Sequence, residues 1–106
     1  MINYYQRETF SKARDVFLKS FRTGFIQSCC FAFHECTLGL RDVTPADLTE
    51  TEFELVTKLK SYMDTSNVSS ETKKWHYKAE SFSEIEQDEI IETIMSLLKI
   101  FQKKGE

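Results

Sequence analysis

The stretch Phe25 to Leu38, FIQSCCFAFHECTL, constrains the fold more than any other part of the chain. On a helix, Phe25, Cys29, Phe33, Cys36 and Leu40 recur at spacings of three and four and share one face. Ile26 and Cys30 extend that face sideways, and Phe31 and Leu38 lie on another flank. A helix that is apolar most of the way round sits among its neighbours rather than on the surface. A strand fits poorly, because alternation fails at Cys29-Cys30-Phe31 and the run is long for a strand. The chain therefore reads as all-α, a compact four- to five-helix bundle around a central helix over about residues 25–38. Three Gly and one Pro in 106 residues agree with this, since many short strands need more turn residues. The length suits one core, so residues 1–106 read as a single helical domain.

The neighbours of that helix are marked along the chain. Residues 1–8, with Ile2, Tyr4 and Tyr5, read as a lead-in packed over the bundle, and a first helix is expected from Thr9 or Ser11. Phe10, Ala13, Phe17 and Phe21 form its stripe. Gly24 then interrupts, and Gly inside a helix is about 1 kcal/mol worse than Ala. A helical hairpin is favoured over one unusually long helix across residues 9–38. Gly39 suits the left-handed position that ends the second helix.

Thr44-Pro45-Ala46-Asp47 marks another helix start, and Thr49 with Glu52 offers a second capping box just after it. Phe53, Val56, Leu59 and Met63 then form an inward stripe, with Glu54 and Lys58 spaced as an ion pair. Residues 64–83 are the least patterned. Ser70 is a candidate cap for a short helix over about 70–80, with Trp75, Ala79 and Phe82 inward and Lys73, Lys74 and Lys78 in water. Ser83 to Glu86 is a capping box for the last helix, whose acids gather at its start and lysines at its end. Ile91, Ile94, Leu98 and Phe101 make a seam that Ile90, Met95, Leu97 and Ile100 broaden. That is more apolar surface than one neighbour covers. It predicts a homodimer through the last helix, with Ile90, Ile94, Leu97 and Phe101 at the interface.

The functional leads are three. Net charge is −3, so no global basic field holds nucleic acid. The charge is uneven: five basic against three acidic residues in 1–40, nine against fourteen in 41–106. Cys29, Cys30, His34 and Cys36 are zinc-ligand types. Yet Cys29 and Cys30 point about 100° apart on a helix, and Cys36 about 160° from His34. Packed thiols are the expected role, with no metal and no cofactor. A dyad of one of these cysteines with His34 or His76 is the second lead. No Cys-x-x-Cys or Gly-rich loop accompanies it, and apolar surroundings blunt thiol reactivity. The chain is not expected to be an enzyme, and an unusual small helical enzyme is kept as an alternative. The third lead is Lys73-Lys74-Trp75-His76-Tyr77-Lys78. Interleaved lysines and aromatics suit base stacking with phosphate contact, and equally a protein hot spot.

Three cysteines do not make a disulfide framework, the first residues lack a secretory pattern, and no apolar run spans a bilayer. A cytoplasmic setting without membrane contact is expected. The reading reached is a small protein-binding module, an adaptor, inhibitor or regulator, that contacts its partner through Lys74, Trp75, His76, Tyr77 and Lys78. A nucleic-acid-associated regulator using Lys73 to Lys78 is the alternative.

Overall fold

The first helix, α1, runs from Tyr4 to Leu18 in the computed structural model, which describes residues 2–19 and 24–104. It begins earlier than its stripe suggests. The Asn3 side chain accepts from the Tyr5 N–H at 2.9 Å, and Gln6 Oε1 accepts from the Asn3 N–H at 2.8 Å. This reciprocal box satisfies donors that an uncapped first turn leaves open. Thr9 and Ser11 therefore lie inside α1, and residues 4–8 are its first turns rather than a lead-in. Thr9 is buried, and its hydroxyl donates to the Gln6 carbonyl at 3.2 Å.

The second helix, α2, spans Phe25–Leu40, so α1 and α2 are two helices packed on each other rather than one helix over residues 9–38. Gly24 stands before it with φ 83°, a conformation that L side chains rarely adopt. The expected stripe residue Phe21 lies outside the described residues. The Phe17 and Phe25 rings stack at 5.7 Å and hold the end of α1 to the start of α2. At the other end Gly39 is not a cap, because α2 continues to Leu40. Its role is closeness. A Cβ at Gly39 would stand 2.2 Å from Thr9 Oγ1 and 3.0 Å from Phe10 Cε1, so α1 lies almost on the α2 backbone.

The two capping signals after α2 have different outcomes. Thr44 and Asp47 cap only one 3-10 turn, Pro45–Asp47, after which Leu48 is extended and buried. Helix α3, Glu50–Met63, starts from the second box. There the Thr49 N–H donates to Glu52 at 2.9 Å and holds that carboxyl below the usual carboxylate range. After a connection over residues 64–73 come α4, Lys74–Glu80, and α5, Glu84–Lys104. The Ser83–Glu86 box caps α5 as its sequence predicts, with bonds of 3.0 and 3.2 Å.

All regular structure among the described residues is helical. α1 packs on α2 and on α5, α2 also packs on α4, and α3 on α5. This gives the expected helical bundle, but its centre is shared. α2 buries Cys29, Ala32, Phe33 and Cys36 while leaving Phe31 and His34 exposed. α5 buries Ile90, Ile94, Leu97 and Phe101 almost completely, and the Phe101 ring meets Phe10 edge-on at 4.9 Å. The four residues assigned from sequence to a dimer interface are therefore covered by their own chain. Two helices, α1 and α3, rather than one, pack on α5. Met95 and Ile85 are the large apolar side chains that α5 leaves exposed.

Polar links tie α5 to α3. Lys104 reaches Glu52 at 3.2 Å, Lys58 reaches Glu89 at 3.8 Å, and the Tyr62 hydroxyl donates to Glu89. Lys58 thus turns across to α5 rather than along α3 to Glu54. No helix of the described residues is long and apolar enough to cross a membrane.

Candidate functional site

The segment Lys73 to Lys78 becomes a rim and a short helix. Asp64 ends α3, and its carboxylate accepts from the Ser66 N–H at 3.0 Å and the Ser66 hydroxyl at 2.9 Å, which keeps its pKa low. Ser70 closes a second tight turn through the Thr72 N–H and carbonyl. The connection then arrives at Lys73 with φ 53°, ψ 38°, the left-handed region, which is uncommon for a residue with a side chain. Helix α4 starts there without a side-chain cap. The expected start at Ser70 is therefore displaced to Lys74, because the Ser70 hydroxyl is committed to its own turn.

Trp75 anchors α4. Its Nε1–H donates to the Met63 carbonyl at 3.1 Å, an acceptor left open at the end of α3. Its ring meets Phe33 edge-on at 6.0 Å. One turn further, Ala79 is buried, and Phe82 closes the same cluster against Phe33 and Tyr62. The Trp75 indole is half-buried, so one side of it remains as a wall.

That wall belongs to a cleft of about 950 Å³ between α2, the end of α3 and α4. Gln27 and Cys30 line it from α2, Met63 from α3, and Lys73, Lys74 and Trp75 from the rim and α4. Its size falls within the range of sites that enclose a small ligand or an anchoring side chain. Lys73 and Lys74 are exposed, and neither is ion-paired among the described residues. Asp64 is an acid at the same cleft, already bound to Ser66.

The five residues assigned to partner contact do not share one face. Lys74, Trp75 and His76 line the cleft. Tyr77 and Lys78 face a second depression, formed with residues 67–70 and Ser81. The Lys78 ammonium lies 6.0 Å over the Phe82 ring. His76 Nε2 stands 3.0 Å from Glu80 Oε1, one turn along α4.

The cysteine-histidine group is likewise divided. Cys29 and Cys36 are in the core, where burial pushes their thiols far up; His34 is exposed on α2. Cys30 is half-buried in the cleft wall, and desolvation raises its thiol pKa as well. No group of three possible ligands for a metal ion occurs among the described residues. Sequence reasoning grouped Cys30 with the core thiols and missed Gln27 and Met63 as lining. The roughly 100° step between Cys29 and Cys30 was the available signal that the second thiol leaves the core.

Compared with models of protein families, with curated proteins and with solved structures, the chain matches none.

Proposed function

We propose that this chain is a protein-binding module, an adaptor, inhibitor or regulator in a reducing compartment, that receives a short segment of a partner in the cleft beside Trp75. One observation carries the reading. An indole and a methionine wall a cleft whose rim holds two unpaired lysines, Lys73 and Lys74. Such a site suits an apolar anchoring side chain flanked by carboxylates. The aromatic wall supplies contact area, and the lysines supply steering and register.

The alternative, single-stranded nucleic acid, draws less support. Stacking successive bases needs a row of open aromatic faces, whereas Trp75 offers one open side and Tyr77 lies at the second depression. The lysines are also divided between two sides of α4, and the molecule as a whole is acidic. A catalytic reading draws less still. Desolvation raises the Cys30 thiol pKa and so slows its chemistry, and His76 is engaged by Glu80.

The test uses Cys30 as a reporter. A synthetic peptide with one leucine between glutamates should slow alkylation of Cys30 by iodoacetamide. Shielding should weaken in a Lys73→Glu, Lys74→Glu variant and as salt is raised. If the peptide leaves the Cys30 rate unchanged at low salt, while single-stranded DNA slows it, the binding class is wrong.

A further inference from the structure

The chain itself carries a surface of the chemistry that the cleft suits. Ile85 is 75% exposed, the highest value among the large apolar side chains described. It lies in the first turn of α5, where Glu84 precedes it and Asp88 stands one turn further on the same side of the helix. The other nearby acids are occupied: Glu86 caps Ser83, and Glu89 binds Tyr62 and Lys58. Glu84 and Asp88 are exposed and make no ion pair among the described residues. The chain thus holds one apolar ridge with two unpaired acids, and one apolar cleft with two unpaired bases.

The cleft and the ridge lie at opposite ends of α4. Lys74 and Trp75 form its first turn, and Glu84 follows four residues after its end. Within one chain the ridge is separated from the cleft by α4. Between two chains, an exchange of ridge for cleft is reciprocal and so has two-fold symmetry. Reciprocity of this kind closes a dimer, whereas a one-way contact would propagate into a chain of subunits.

We propose that the occupant of the cleft is a second copy of this chain, with Ile85 seated beside Trp75 and Glu84 and Asp88 facing Lys73 and Lys74. The inference rests on the cleft reading above and names its partner. It also moves the homodimer away from the buried face of α5 to the start of that helix.

Sedimentation velocity on the full chain, over a concentration series at low and high salt, tests this. A dimer that weakens with salt is expected. Ile85→Ser, Lys74→Glu and Glu84→Lys should each weaken it about tenfold or more, as loss of a central anchor or a charge reversal does. The double variant Lys74→Glu, Glu84→Lys should recover much of the loss, because the pair is restored with opposite sense. All three positions are exposed or rim residues outside the core, and circular dichroism checks that each variant stays folded. A wild-type chain that is monomeric throughout overturns the proposal, as does a double variant no better than the worse single one. A monomer whose Cys30 is still shielded by the glutamate-leucine peptide overturns self-pairing alone, whereas loss of shielding as well removes the cleft reading with it.

Discussion

The two sides of this bundle are held by different kinds of interaction. On one side, α1, α2 and α5 meet through close backbone approach and aromatic edges. Gly39 lies against Thr9 and Phe10, and Phe10 lies against Phe101. On the other, α3 and α4 bury Val56, Leu59 and Ala79 in the same core but add polar links and half-buried rings. These are Trp75 to Met63, Tyr62 to Glu89, and a backbone turn at Lys73 in the left-handed region. Packed apolar contact is dense and tolerates little change in volume. Single polar links contribute less each, and they open more readily. The cleft lies on the second side. The wall where a partner would seat therefore rests on polar links as well as on packing.

The difference predicts a graded series of losses. Phe101→Ala removes a fully buried ring from the first side and should destabilise the fold by about 3–5 kcal/mol in chemical denaturation. Gly39→Ala gains helix propensity but drives a methyl group into Thr9 and Phe10. A net loss of about 1–3 kcal/mol is expected, and a stabilised variant would show that the two arms separate freely.

On the second side, Tyr62 gives a pH signature. Its hydrogen bond to Glu89, with burial and the nearby carboxylates, pushes the phenol up to about 12 from an ordinary value near 10. The folded state therefore favours the protonated phenol. That contribution is complete below pH 10 and is lost as pH rises from about 10 to about 12. Relative to Tyr62→Phe, the wild-type chain should lose stability across that window, and equal slopes for the two proteins would remove the link.

Lys73→Gly should have the smallest effect on stability. It relieves a left-handed side-chain residue while loosening the unfolded chain, so the net change should stay within about 1 kcal/mol. Hydrogen exchange in α1 and α2 should not move. If it does, the two sides are coupled.

Signals carried by neighbouring residues were legible in the sequence, and those that depend on packing were not. Boxes made of a hydroxyl and an acid three residues later, Thr49 with Glu52 and Ser83 with Glu86, locate two helix starts because the interaction is local. Asn3 with Gln6 is the same device and was legible too, but Thr9 and Ser11 stood nearer the apolar stripe and drew the boundary inward. Gly39 misleads for a different reason. A glycine near a helix end reads as a cap, and only the neighbouring helix reveals that it is a contact. The face of α5 misleads likewise, since the number of helices that will pack on an apolar stripe is a tertiary fact. At the cleft, the aromatic-basic run was visible, yet α4 sends its residues to two sides, and Cys30 and Met63 join from distant parts of the chain. No local pattern announces the left-handed Lys73, which has neither Gly nor Asn chemistry to suggest it.

Trp75 is the only tryptophan in the sequence. Its indole donates to the last carbonyl of α3 while its ring touches Phe33 on α2. Emission excited at the red edge of the absorption spectrum therefore arises from one chromophore placed where three helices meet. A shift in its colour would report separation of α4 from Met63, and a change in its quenching by iodide would report what covers the cleft. The molecule carries, without any added label, an optical gauge at the place where its two sides join.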